Sequence, residues 1–188
     1  MIILQTKDHY KIARYLSEDV GLFSSDIKRL MFIVGSVFPD INLLSYFKGK
    51  GSLGHSYSKR EKEINKAIEY FKDNRTIIAY FRLGVALHYI QDSFTFPHNE
   101  HAEISALSHF SYESKLHNLL CGYLYSQSDV PRNFNCNVIY AIKMLHEKYC
   151  CAKSCAHKDL AYIIVLSRAV ISGLAQKNDV LPIIQYAD

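Results

Sequence analysis

Five side chains that bind divalent cations recur within one short stretch of this 188-residue chain: His88, Asp92, His98, His109 and Glu113. An α-helix repeats every 3.6 residues, so His88 and Asp92, four apart, share one face, and His109 and Glu113 share another. Two helices thus aim a pair of ligands each at a common point. His98 follows Pro97 in the connection between them, where backbone that is no longer helical can turn an imidazole back toward the same place. Imidazole and carboxylate without cysteine suit Zn²⁺ in a site that keeps an open position, whereas structural zinc sites are usually cysteine-rich and closed. Hydrated zinc supplies hydroxide at neutral pH, and cations about 3.5–4 Å apart clamp the attacking and leaving oxygens of a phosphodiester. The pattern predicts metal-assisted hydrolysis of a phosphate ester.

Each member has an ordinary reading when taken singly. His88 on an apolar helix fits a neutral core histidine bonded to a backbone carbonyl, and His109 with Glu113 fits an exposed i, i+4 pair worth a few tenths of a kcal/mol. Asp40 after Pro39 could cap a turn, and His55 between Gly54 and Ser56 could merely occupy a loop. The joint spacing favours the metal reading over these. His101 and Glu103 are read as helix decoration, and His117 and His146 as surface residues. Cys150, Cys151, Cys155 and His157 offer soft ligands, but no second cysteine pair lies at zinc-finger distance, so incidental thiols are the better account.

The elements that must position these side chains are helical. Apolar residues recur at three- and four-residue spacing, without sustained alternation or Gly-rich hairpin turns, which predicts an all-α fold. Helices are expected near 7–17, 25–37, 59–73, 76–93, 101–127, 136–150 and 158–175. The segment 76–93 is apolar nearly all round and should be central, which makes its His88 and Asp92 costly unless a cation or partner compensates them. Phe38 to Gly54 reads as the longest loop, carrying Asp40 and leading into His55; Ser126 to Asn135 is a second loop, and the tail begins at Pro182.

Composition bounds the rest. With 49% hydrophobic and 21% charged residues the chain is an ordinary globular protein, with no apolar run near the ~20 residues that span a bilayer. A net charge of +4 is spread along the sequence, so a stable nucleic-acid complex is not expected. The densest basic patch, Lys59, Arg60 and Lys62, reads as a solvated helix opening. Five cysteines, an odd number, suit reduced thiols. The opening Met1-Ile-Ile-Leu-Gln-Thr-Lys-Asp8 lacks the basic leader and long apolar stretch of a secretory signal, which makes the cytoplasm the default location, or the exterior if the N-terminus is incomplete.

The ordered segments Phe-Pro-Asp40, Gly-His55-Ser-Tyr, Leu-His88-Tyr-Ile-Gln-Asp92, Pro-His98-Asn and His109-Phe-Ser-Tyr-Glu113 resemble zinc-dependent phospholipase C, itself related to the S1/P1 nucleases. The resemblance covers about residues 6 to 120; the helical extension at about 135–176 adds no motif. It implies an all-helical fold with a trinuclear zinc site. By that resemblance Asp40, His55, His88 and Asp92 hold one zinc, with Asp92 bridging to a second ion, and His98, His109 and Glu113 hold another. His9 corresponds to the histidine that helps bind the remaining ion. Secreted members complete that third site with an N-terminal tryptophan, and this chain has no tryptophan, leaving Met1 as the only obvious substitute. The resemblance also assigns Asp40 a second role as general base, compatible with a carboxylate beside a metal.

The expectation is therefore one all-α domain over residues 1–188 that holds two or three Zn²⁺ ions. It would hydrolyse a phosphodiester, foremost a phospholipid headgroup linkage. Alternative readings are a P1-like single-strand nuclease, a phosphoesterase acting on small molecules, and a non-catalytic zinc-binding helical protein. Tyr57, Phe94 and Phe96, next to proposed ligands, are read as packing rather than as substrate contacts.

Overall fold

A single helix, α4 (Ile77–Ser93), organises the structure, and its sequence explains why. Apolar on nearly every face, it must be surrounded: from Ala86 to Phe94 every residue is buried. Thr76 caps its start by accepting a hydrogen bond from the Ala79 amide at 3.3 Å. The computed structural model describes residues 5–18, 21–42, 54–99, 105–126, 137–153 and 155–175. Among these, the other helices are α1 (Gln5–Leu16), α2 (Asp26–Ile41), α3 (Tyr57–Asp73), α5 (Ala106–Ser126), α6 (Val138–Cys150) and α7 (Ala156–Ala175). A 3₁₀ turn, Phe96–His98, follows α4, and no strand occurs among the described residues. The all-α expectation holds.

Helices α2, α3, α7 and α1 pack around α4, while α5 lies on α7 and α1, and α6 on α7. The closest approach is between α2 and α4. A methyl group at Gly84 would stand 2.1 Å from the Phe32 carbonyl oxygen, and one at Gly35 would stand 2.1 Å from that of Phe81. Two glycines therefore let the backbones touch, which costs each helix roughly 1 kcal/mol of intrinsic propensity and is offset by burial of both faces. On α2 the buried face runs Phe32, Gly35, Ser36, Pro39, at the i, i+3, i+4, i+7 spacing of a helix side.

That face corrects one sequence expectation. Phe38, Pro39 and Asp40 do not begin a loop; α2 continues through the proline to Ile41, and the Asn42 amide closes it on the Phe38 carbonyl at 2.9 Å. Pro39 lacks the amide that would have bonded the Gly35 carbonyl, so the helix continues at the cost of one bond, with the proline ring buried on the face that meets α4. The remaining helix bounds agree with the periodicity to within a few residues. Met1, His101, Glu103, the tail from Pro182, residues 43–53 of the first expected loop and residues 127–135 of the second lie outside the described residues. No helix among the described residues is long and apolar enough to cross a membrane.

Candidate metal centre

Asp92, in the last turn of α4 and almost fully buried, is the hub of the first cluster. Its Oδ1 faces His9 Nε2 of α1 at 3.1 Å; its Oδ2 faces His55 Nδ1 at 2.7 Å and His88 Nε2 at 3.1 Å. Asp40 joins from α2, with Oδ1 3.6 Å from His88 Nε2 and Oδ2 accepting a 2.9 Å hydrogen bond from the Thr6 hydroxyl. Two overlapping ligand sets result, His9–His88–Asp92 and Asp40–His55–His88, each with its ligand atoms within 4.8 Å of one another.

Backbone and amide acceptors fix which imidazole nitrogens face inward. The Ser36 carbonyl of α2 lies 2.9 Å from His88 Nδ1, and since a carbonyl only accepts, that nitrogen carries the proton and Nε2 turns to the cluster. Gln91 does the same for His9: its amide nitrogen donates to Ser167 Oγ at 3.3 Å, so its Oε1 accepts from His9 Nδ1 at 2.5 Å. The glycine crossing of α2 and α4 is what brings Ser36 within reach of His88.

The charges follow from this crowding. Burial alone would raise the Asp92 carboxyl, but His88, His98 and His9 and the hydrogen bond from His55 hold it well below the usual carboxylate range. His9 is pulled the other way: burial disfavours its charge, yet the Asp92 carboxylate wins and lifts it to about 9. His88 is depressed, by burial and then by the neighbouring His9 charge. Without a cation, a proton on His9 Nε2 neutralises Asp92 where a metal ion would otherwise do so.

A second set comes from the 3₁₀ turn and α5. His109 Nε2 lies against Glu113 Oε1 one helical turn away, and His98 Nε2 approaches the same oxygen at 3.9 Å. These three ligand atoms also fall within 4.8 Å of one another. Burial raises the Glu113 carboxyl, partly offset by a hydrogen bond and charge from His109. Glu113 is buried, and its Oε2 has no hydrogen-bond donor among the described residues, a costly state that a cation would relieve. The two clusters adjoin: the His55 and His98 rings stack at 6.0 Å, and His9, Asp92 and Glu113 line one cavity of about 30 Å³. Nitrogen and oxygen donors, buried and mutually compensating, fit zinc on chemical grounds.

All eight side chains singled out by sequence, His9, Asp40, His55, His88, Asp92, His98, His109 and Glu113, thus meet in two adjoining clusters. Four neighbours escaped that reading. Thr6, Ser36 and Gln91 are common polar residues whose role depends on the partner they meet. Arg60, expected in a solvated patch, is 1% exposed: its Nε donates to the Gly54 carbonyl at 2.7 Å, its NH1 pairs with Glu63 at 2.7 Å, and its guanidinium lies 4.3 Å over the Tyr89 ring. It anchors the residue before His55 to α4.

His117 and His146 are likewise not plain surface residues. His117 Nδ1 pairs with Asp8 Oδ1 at 2.6 Å, and the His146 ring stacks on Tyr57 at 4.4 Å. Phe94 packs among Tyr149, Tyr162 and His146, and Phe96 against Tyr112, as expected of packing aromatics. Cys121, Cys150, Cys151 and Cys155 are exposed and form no disulfide among the described residues.

A helical shell around buried, overlapping histidine–carboxylate clusters defines the class as an all-α protein with a candidate multinuclear metal centre. Residues 8–165 match the family described as zinc-dependent phospholipase C, and the chain belongs to that family. No curated protein and no solved structure gave a match. The matched span reaches well past residue 120, so the C-terminal helices belong to the family's fold as much as the ligand-bearing segments do.

Proposed function

We propose that the chain is a single-domain zinc-dependent phosphodiesterase that cleaves the headgroup linkage of a phospholipid with water. The observation that carries this reading is the buried Asp92 carboxylate, whose two oxygens face three imidazoles from different parts of the chain. Asp40, His55, His88 and Asp92 would hold one zinc, with Asp92 bridging toward a second ion beside His9; His98, His109 and Glu113 would hold another. When bound, zinc supplies a Lewis acid that activates water and offsets charge developing on the phosphate oxygens. Three ions are compatible with the three ligand sets.

The chain's own groups supply orientation and proton handling. Thr6 donates to Asp40 Oδ2, which leaves Oδ1 facing the cluster, where it accepts the proton of the attacking water as general base. Ser36 and Gln91 hold the His88 and His9 rings so that no reorientation accompanies the reaction. His109 is the most open of the ligands, with 20% of its side chain exposed, so substrate approaches past the N-terminal half of α5.

Hydrolysis of phosphatidylcholine vesicles, of bis(4-nitrophenyl) phosphate and of single-stranded DNA, with zinc and after chelation, tests the proposal. Release of the phosphorylated headgroup that disappears on chelation and in His88→Ala and Asp92→Ala is the expected result. Zinc bound without turnover of any of the three overturns the enzymatic reading; cleavage of DNA alone replaces the lipid by a nucleic acid.

A further inference from the structure

Asp159, in the first turn of α7, belongs to the part of the chain where sequence offers no motif, yet it is a fully buried carboxylate with 0% exposure. Its acceptor capacity is used by three separate elements. Oδ2 accepts from the Phe96 amide at 2.9 Å and from the Tyr112 hydroxyl at 2.7 Å; Oδ1 accepts from the Tyr149 hydroxyl at 2.8 Å. Phe96 opens the 3₁₀ turn that ends in His98, and Tyr112 immediately precedes Glu113 on α5. One carboxylate oxygen therefore bonds both elements that supply the second ligand set.

The turn has a second point of attachment. The Thr95 amide and hydroxyl both bond the Asp92 carbonyl, at 3.0 and 2.7 Å, which suspends it from the end of α4. Both attachments fall at the start of the turn: Thr95 fixes it relative to Asp92, and Phe96, through Asp159 and Tyr112, fixes it relative to α5. Burying a carboxylate is expensive unless donors meet it, and two of the three here come from the ligand-bearing segments, so the cost is fully compensated only when those segments are in place.

We propose that Asp159 is a positioning residue for the His98–His109–Glu113 set: it fixes the separation between the turn carrying His98 and the helix carrying the other two, and so sets that set's affinity for its cation. The inference rests on the reading that this set holds zinc. Groups that orient metal ligands typically govern affinity by 10–100-fold.

Competition titration of the full chain with a chromophoric zinc chelator reads each ion's affinity directly, without reference to activity. Asp159→Asn keeps the shape but replaces one acceptor oxygen by a donor, and should weaken one ion by about 10–100-fold while the others stay as in the parent. Tyr112→Phe, which removes only the arm to α5 and is the milder change should Asp159→Asn fail to fold, should weaken the same ion by about tenfold. Tyr80→Phe deletes a comparable buried bond, 2.6 Å to the Leu22 carbonyl, remote from the second set; it should lower the melting temperature and leave every zinc affinity unchanged. In a Glu113→Ala background, Tyr112→Phe should have no further effect on metal binding. Parental affinities in Tyr112→Phe, or a uniform loss matched by Tyr80→Phe, overturn the positioning role. A parent chain that binds no zinc removes instead the metal reading beneath it.

Discussion

Replacing Gly84 by alanine is the most searching test of how the fold builds the centre. The added methyl would stand 2.1 Å from the Phe32 carbonyl oxygen, 2.7 Å from the Ser36 nitrogen and 3.0 Å from the Gly35 carbonyl carbon, all backbone atoms that no rotamer change can clear. Ordinary contacts begin near 3.4 Å, so α2 and α4 must part by on the order of 1 Å. Overpacking by one carbon typically costs about 1–3 kcal/mol, and an unyielding backbone puts this site at the upper end; the better helix propensity of alanine returns about 1 kcal/mol. The expected net loss is about 2 kcal/mol. Gly122→Ala is the matching control, because its methyl meets nothing within 4 Å in α5 and should gain up to about 1 kcal/mol.

The same chemical change should therefore separate the two variants by about 3 kcal/mol, read as a difference in urea midpoint or as roughly 6–12 °C in melting temperature for a chain of this size. Metal binding should follow. Parting the helices lengthens the 2.9 Å bond from His88 Nδ1 to the Ser36 carbonyl and frees the ring, so zinc affinity in Gly84→Ala should fall by about 10–100-fold. A Gly84→Ala protein as stable and as tightly zinc-binding as the parent would refute the close crossing as the device that orients His88.

The metal-free protein should show a pH window set by the first cluster. His9, lifted to about 9 from 6.5, stabilises fully below about pH 6.5 and loses that contribution as pH rises through 9; Asp92, held low, stabilises above about pH 4 and loses it in acid. Urea midpoints of the chelated protein should peak between these limits and decline toward pH 9, and a midpoint that rises steadily to pH 9 would contradict the His9–Asp92 pairing. Arg60→Met removes the buried donor to the Gly54 carbonyl and the pair with Glu63, and should cost about 1–3 kcal/mol in thermal or urea unfolding. Cys155→Ala, at an exposed free thiol, should change neither stability by more than about 0.5 kcal/mol nor zinc content, and loss of an ion would point to a cysteine ligand.

Helix positions and the His88–Asp92 and His109–Glu113 pairings were legible in the sequence because both depend on local periodicity, whereas His9, Asp40 and His55 entered as candidates through the family resemblance. A buried helix is written as a largely apolar stretch, and residues four apart share a face whatever the rest of the chain does, as His88 with Asp92 and His109 with Glu113 demonstrate. Proline, by contrast, misled: Pro39 signalled a loop at Asp40, whereas α2 runs on to Ile41 with Pro39 buried inside it. Only the tertiary structure decided which nitrogen of each histidine faces the cluster, since that is set by acceptors distant in sequence, Ser36 for His88 and Gln91 for His9. It alone turned Arg60 inward and brought Asp159 from α7 to the turn before His98, 63 residues away. Ligand types follow from the chain because coordination chemistry belongs to individual side chains; their orientation does not, because a hydrogen bond between distant residues exists only once the helices have packed.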